Sequence, residues 1–384
     1  MIPYGKHEIT KKDISAIEKV LKSKFITQGV HVPKFENSVS SIVSSKYAVA
    51  VNSATSALHI ACLALGIKKG DLVWTSAISF VASANCAKYC DADVDFLDID
   101  RDTFNISIDL LKIKLVKAKK NNRLPKLIIV VHMCGQSCEM KQIKQLSKIY
   151  GFQIIEDASH ALGGKYDKFS VGSCKYSDIT IFSFHPVKII TSGEGGMVTT
   201  NKKFIYDKLT YFRTHGITRN RNLMTQNDGF WHYEQIDLGY NYRMTDIAAA
   251  LGNSQLSRLG QYVKKRNKLA AIYNEMLKDL PLELPKIQKK IISTYHLYVI
   301  RVDGNKTKIS KKFLMEALKK KNIGPSFHYM PIYRHPYYKK QKIKYKPLIN
   351  SEDYYSRAIS IPIYPTMRNE DQYKVIKALK NILE

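Results

Sequence analysis

The chain has 384 residues, 45% hydrophobic and 24% charged, with a formal charge of +28. That length supports a sizeable core and two or three domains, and the composition excludes a disordered or fibrous chain. The Lys and Arg excess would suit nucleic acid, but it is spread over the runs 112–126, 286–290, 306–321 and 339–346 with no RNP, zinc-finger or helix-turn-helix pattern. The expectation is therefore a lysine-rich solvated surface that favours anionic small molecules, with no nucleic-acid partner.

In chain order, TKKDISAIEKVLKS sets Ile14, Ile17, Val20 and Leu21 at helical spacing from a start at Thr10 or Lys12-Asp13, and FITQG ends it. A second helix is predicted over 33–44. KYAVAVNSATSALHIACLALG reads as a buried strand, a polar turn and a helix closed by Gly66. DLVWTS, DVDFLDID, LPKLIIVVHMCG and FQIIEDAS then alternate as strands with helical segments in ISFVASANCAKYC and over 108–120 and 140–150. Near-continuous apolar strands alternating with helices imply an α/β sheet, mostly parallel and covered on both faces.

Beyond a long helix that runs from about residue 256 to 278, STYHLYVIRV, a lysine-rich helix over 311–321 and a last helix after Glu370 indicate a smaller α+β domain. The expected division is 1–255 for the large domain and 256–384 for the small one, with the N-terminal segment able to pack on the latter. Six cysteines without a two-residue gap read as buried free thiols of a reducing compartment. MIPYGKHEITKKD lacks an apolar signal core, and no run of about 18 apolar residues appears. A soluble cytoplasmic protein with no membrane contact is expected.

Three strand ends carry candidate chemistry. Ser53-Ala54-Thr55-Ser56 begins a helix, where free N–H groups suit either a phosphate or an ordinary N-cap. In IIEDASHALGG, Asp157 reads as a cap, a metal ligand or the partner of a pyridinium nitrogen; His160 follows three residues later, but no HxxxH or ExxH partner is present and no metal is expected. In FSFHPVKIITSGEGGM, Lys188 sits between an apolar run and a glycine-rich turn, where a lysine loses its proton more easily and becomes a nucleophile. A lysine for the aldehyde, an acid for the ring nitrogen and a phosphate cradle are what pyridoxal phosphate requires.

These motifs, with LGYNYRMTDIAAALG after them, IPYGKHEI at the front and ISIPIYPTMRNED near the end, resemble the DegT/DnrJ/EryC1/StrS sugar aminotransferases over essentially the whole chain. The resemblance implies the aspartate aminotransferase fold (type I), with a seven-stranded sheet in the large domain, and pyridoxal phosphate as cofactor. It makes Lys188 the Schiff-base lysine and Asp157 the partner of the pyridine nitrogen. His160 and Phe80 would lie against the two faces of the ring. Ala54, where the family usually has glycine, and Thr55 would cradle the phosphate with Ser183. Asn241 would reach the phosphate from a second subunit, so a homodimer with shared active sites is implied.

His328 and Tyr329, in the aromatic segment GPSFHYMPIYRHPYY, would line the sugar pocket, although composition alone suits an exposed loop. Arg213 and His215, in FRTHGI, are candidates for substrate or diphosphate contact, with a solvated pair the alternative. SFHPVKIITSGEGGM, VHMCGQSCEM and FITQGVHV look most like the enzymes of pseudaminic acid synthesis, which aminate UDP-2-acetamido-2,6-dideoxy-β-L-arabino-hexos-4-ulose with L-glutamate as donor. The D-xylo epimer, on a bacillosamine-type route, is the alternative, and a non-catalytic pyridoxal phosphate-binding regulator is a remote one. A related dehydratase group has histidine in place of Lys188. The implied reaction is ping-pong, with Lys188 moving the proton in both halves.

Overall fold

Aliphatic and β-branched runs without polar alternation are buried only in a sheet covered on both faces. The computed structural model describes residues 1–341 and 345–384, so part of the basic run 339–346 lies outside the described residues. Seven strands, most of them such runs, form one sheet: β1 (Tyr47–Val51), β2 (Leu72–Ser76), β3 (Asp93–Leu97), β4 (Leu127–Val131), β5 (Gln153–Asp157), β6 (Ile179–Ser183) and β7 (Gly196–Thr200). Their order is β1-β7-β6-β5-β4-β2-β3. Strands β6, β5, β4, β2 and β3 pair in parallel, and β7 runs antiparallel to both β6 and β1. The expected α/β fold with a mostly parallel sheet is present.

The two-residue period of a strand divides the core. Val73, Leu127, Ile129, Ile155 and Ile181 face α3 (Ala54–Ala64) and α4 (Ala82–Tyr89). On the other face, Trp74, Ile128, Val130 and Ile154 meet the helices over 108–120 and 140–150, and Ala48, Ala50, Phe182 and Met197 meet the helix over 31–43. A C-terminal antiparallel sheet, made of residues 282–283, 298–302 and 358–361, has its own apolar cluster, which includes Tyr273, Tyr298, Leu314 and Leu379. Buried Arg266 donates to the carbonyls of Tyr295, His296 and Ile363 at 3.1, 3.2 and 2.9 Å, tying the long helix over 259–277 to this sheet. Loss of hydration pulls its guanidinium down to about 9. No helix among the described residues is long and apolar enough to cross a membrane.

Two buried carboxylates hold helices together where apolar contact alone would not fix direction. Asp13 closes a capping box with Thr10 and accepts from Ser254 Oγ at 2.6 Å and Arg258 Nη2 at 2.6 Å, joining the first helix to the segment after residue 250. Asp246, from LGYNYRMTDIAAALG, accepts backbone N–H groups of Gly29, His31 and Val32 at 2.6, 2.8 and 3.1 Å. A helix N-terminus has unsatisfied N–H groups and a positive dipole end, so a buried anion there is stabilising. Asp246→Ala strands three donors in the interior. We expect a loss of about 3 kcal/mol, read as a lower urea midpoint by circular dichroism; a midpoint equal to that of the unaltered chain would show that the carboxylate is no anchor.

Candidate active site

Parallel strands end together, and ligands collect at their carboxyl ends. Here the ends of β1, β4, β5 and β6, with the turn after β2, surround a cavity of about 430 Å³. Lys188 follows β6, and Asp157 is the last residue of β5. Ala54 and Thr55 open α3 directly after β1, and Phe80 lies in the turn before α4. His160, Ser183, His328 and Tyr329 complete the lining from positions expected on sequence grounds.

The cradle is built by the N-cap Ser53, whose hydroxyl accepts the Ser56 N–H at 3.1 Å. That leaves the earliest N–H groups of the helix, at Ala54 and Thr55, for a ligand, since a helix cannot satisfy them itself. Gly196 makes this turn possible: a Cβ on it would lie 2.5 Å from Ser53 O and 2.7 Å from Ala54 N. The glycine-rich run after Lys188 thus lets β7 approach the start of α3, a packing reason that the motif did not disclose.

Asp157 is 6% exposed. Its Oδ2 accepts from Ser83 Oγ at 2.6 Å, and its Oδ1 from Ser159 Oγ at 2.6 Å and Ser159 N–H at 3.2 Å. These donors fix the carboxylate plane. Beneath it, Cys138 N–H donates to His132 Nδ1 at 3.1 Å, so Nε2 carries the proton and donates to Glu156 Oε2 at 2.7 Å. Ser177 and Thr180 hydroxyls satisfy the other oxygen of Glu156.

Lys188 is half-buried. Removal from water pulls its ammonium down to about 8, and Asp157 opposes that shift. Below pH 8 the amine is mostly protonated; above it the amine is mostly free. His160 is driven well below the usual histidine range by burial first and by the nearby Lys188 and His328 charges second. His328 falls to about 4 for the same reasons. Both imidazoles are neutral at physiological pH. His160 Nε2 lies 3.3 Å from Tyr329 Oη, and its ring lies 4.3 Å from that of His296, another buried imidazole pushed toward neutrality.

Asn241, Arg213 and His215 lie outside this cavity. Asn241 is exposed, and its carbonyl accepts from Asn52 Nδ2 at 3.5 Å. Arg213 is committed elsewhere: Nη1 donates to Glu36 Oε1 at 2.5 Å and Ala50 O at 2.9 Å. Within its own chain it braces the edge of the sheet. His215 is exposed, in the left-handed region at φ 57°, with its N–H on Tyr240 O. Sequence reasoning did not identify Tyr4, Ser79, Ser159 and Glu194, which also line the cavity, or Ser83 and His296, which stand behind it. Ser83 follows Phe80 by three residues and could have been read as a helix-start hydroxyl; nothing in the sequence marks His296.

The residues present fit pyridoxal phosphate. An amine with a depressed pKa and a fixed, buried carboxylate share one cavity with a helix N-terminus. His160 Nδ1 is buried without a partner, and the Phe80 side chain is 57% exposed at the cavity, uncovered by protein.

A model of the DegT/DnrJ/EryC1/StrS aminotransferase family matches residues 7–380. The chain is 39% identical to the UDP-4-amino-4,6-dideoxy-N-acetyl-β-L-altrosamine transaminase of Campylobacter jejuni, over 100% of this chain and 98% of that one. Helicobacter pylori PseC, an aminotransferase involved in the biosynthesis of pseudoaminic acid, superposes with a TM-score of 0.90 at 32% identity, covering 100% and 99% of the two chains. The sugar aminotransferase Spr1654 of Streptococcus pneumoniae, in its PLP form, superposes with a TM-score of 0.88 at 26% identity, over 99% and 98%. A match of this extent, on a site with this chemistry, places the chain in the DegT/DnrJ/EryC1/StrS aminotransferase family, as a pyridoxal phosphate-dependent sugar aminotransferase.

Proposed function

We propose that the enzyme transfers the amino group of L-glutamate to C4 of UDP-2-acetamido-2,6-dideoxy-β-L-arabino-hexos-4-ulose, giving UDP-4-amino-4,6-dideoxy-N-acetyl-β-L-altrosamine on the route to pseudaminic acid. The observation that carries the aminotransfer is the depressed Lys188 amine sharing a cavity with the fixed Asp157 carboxylate. Support for the sugar is the likeness to the Campylobacter jejuni transaminase and to Helicobacter pylori PseC.

Pyridoxal phosphate, when bound, supplies an aldehyde that accepts an amino group and a ring that stores the electron pair released at carbon. Lys188 Nζ is the proton carrier: near its pKa it takes a proton at one carbon and returns it at another without a large energetic step in either direction. Asp157 presents fixed negative charge toward a pyridine nitrogen, and Ser83 and Ser159 prevent it from turning away. The helix start at Ala54 and Thr55, with Ser183, would hold the cofactor's phosphate. His160 stays neutral, so it packs against an aromatic face without adding a competing positive charge. Burial keeps the Tyr329 hydroxyl protonated, which leaves it a hydrogen-bond donor beside His160.

The enzyme works as a homodimer with shared sites. The exposed Asn241 and the strongly exposed Phe230, Trp231 and Leu238 on the same stretch of chain support this reading, since such apolar exposure suits burial against a second copy.

Three outcomes follow. In the cofactor-free protein, reductive alkylation of Lys188 by a small aldehyde should rise with pH through a midpoint near 8. Peptide mass spectrometry across about pH 6 to 11 reads this, and ordinary lysines respond near 10.4. In Asp157→Asn the midpoint should fall further, because the charge that holds the ammonium is gone; a midpoint near that of surface lysines would remove Lys188 from the role. Product mass spectrometry with glutamate should show amination of the L-arabino keto sugar and not of its D-xylo epimer, whereas the reverse pattern would select the bacillosamine-type alternative. Mixing inactive Lys188→Ala and Asn241→Ala chains should restore about a quarter of normal activity, because a hybrid dimer has one intact site if sites are shared. A mixture as inactive as its parents would mean that each chain builds its site alone.

A further inference from the structure

A second and larger concavity, a groove of about 1020 Å³, lies apart from the Lys188 cavity, between the first residues of the chain, the end of the helix over 311–320 and the C-terminal helix over 369–383. Its walls are preorganised. Ile2 N–H donates to Asn322 O, and Gly324 N–H to Ile2 O, both at 2.8 Å, so the N-terminal strand is fixed beside residues 322–324.

Lys6, Lys321, Lys374 and Lys377 converge on this groove from three segments of the chain. None of the four is ion-paired among the described residues, although Lys22, Lys126, Lys202 and Lys278 elsewhere on the surface are. The cation Arg368 is already neutralised: its Nε and Nη2 donate to Asp371 at 2.9 and 3.1 Å. Asp371 is held below the usual carboxylate range by Arg368 first, with the Lys374 and Lys6 charges adding to it. Ile2, Ile323 and Tyr364 supply an apolar floor. Like charges gathered over a low-dielectric floor repel one another and focus a positive potential that an anion relieves.

We propose that this groove binds a small anion carrying two or more phosphate groups, at a site separate from the Lys188 cavity. Free lysines act as mobile point charges that suit phosphate, whereas planar carboxylate recognition relies on the forked guanidinium, and the arginine here is occupied. The volume is that of a small-molecule site, and the cations close around a concavity instead of forming the stripe with exposed aromatics that a nucleic-acid strand needs. One segment borders both the groove and the catalytic cavity. Ile2, Pro3 and Lys6 line the groove, while Tyr4 between them lines the cavity and packs 5.0 Å from the His328 ring. An anion that draws Lys6 inward acts on the segment that positions Tyr4.

Isothermal titration of pyrophosphate into the holoenzyme tests this, comparing the unaltered chain with Lys321→Gln/Lys374→Gln/Lys377→Gln. The expected result is binding that weakens about tenfold or more in the triple variant and falls steeply with added salt. No binding, or equal affinity in both proteins, overturns the proposal. A parallel titration with UDP distinguishes the sources: a larger loss for UDP than for pyrophosphate in the triple variant assigns the groove to a nucleotide, and an equal loss assigns it to the phosphates alone. Pyrophosphate should shift the KM for the keto sugar in the unaltered enzyme and leave it unchanged in the variant. An identical shift in both would refute the coupling through Tyr4.

Discussion

One opposition of forces organises this enzyme: an ammonium is drawn partly out of water, and a buried carboxylate in the same cavity opposes the loss of its proton. Burial pulls the Lys188 ammonium down and the Asp157 charge opposes it, leaving it at about 8, where both protonation states are accessible. The remainder of the site prevents that balance from being disturbed. Ser83 and Ser159 fix the carboxylate so that its charge does not wander, and His160 and His328 are kept uncharged, so no further cation lowers the lysine.

The frame that holds this balance is the parallel sheet. Lys188, Asp157 and the Ala54-Thr55 turn are far apart in sequence, and they meet because β1, β5 and β6 point the same way and end at the same level. Strand β7, inserted antiparallel between β1 and β6, must then pass close to the phosphate turn, which is why residue 196 has no side chain. Buried polar groups elsewhere do the orienting that apolar packing leaves undetermined. Asp13, Asp246 and Arg266 each satisfy several donors or acceptors from other segments and so fix direction as well as proximity.

Much of the fold was legible. The strands LIIVV, QIIED and YAVAV are apolar on both faces and could be little else in an α/β alternation, and the helices between them carry ordinary stops such as Gly66 and Gly151. The seven residues expected around the cofactor on this chain, with His328 and Tyr329 expected around the sugar, line one cavity, and three of their positions sit in local motifs with a geometry of their own: a helix cap, a strand-end acid, a lysine before a glycine turn. Arg213 shows what local signature leaves out: an arginine at a helix end looks the same in sequence whether it meets a ligand or a partner 177 positions away, and nothing in the sequence marks its pairing with Glu36.

The sequence by itself therefore determined the alternating strands and helices and the helix start that suits phosphate, and it marked Lys188 and Asp157 as candidates, since hydrophobic period, side-chain chemistry and capping are local properties. Tertiary structure alone decided which histidines stay neutral, that Ser83 from another element holds Asp157, that Arg213 is consumed in a brace, and that four lysines from three segments surround one groove. Desolvation and charge proximity depend on distances between residues tens to hundreds of positions apart, and those distances exist only once the chain has folded.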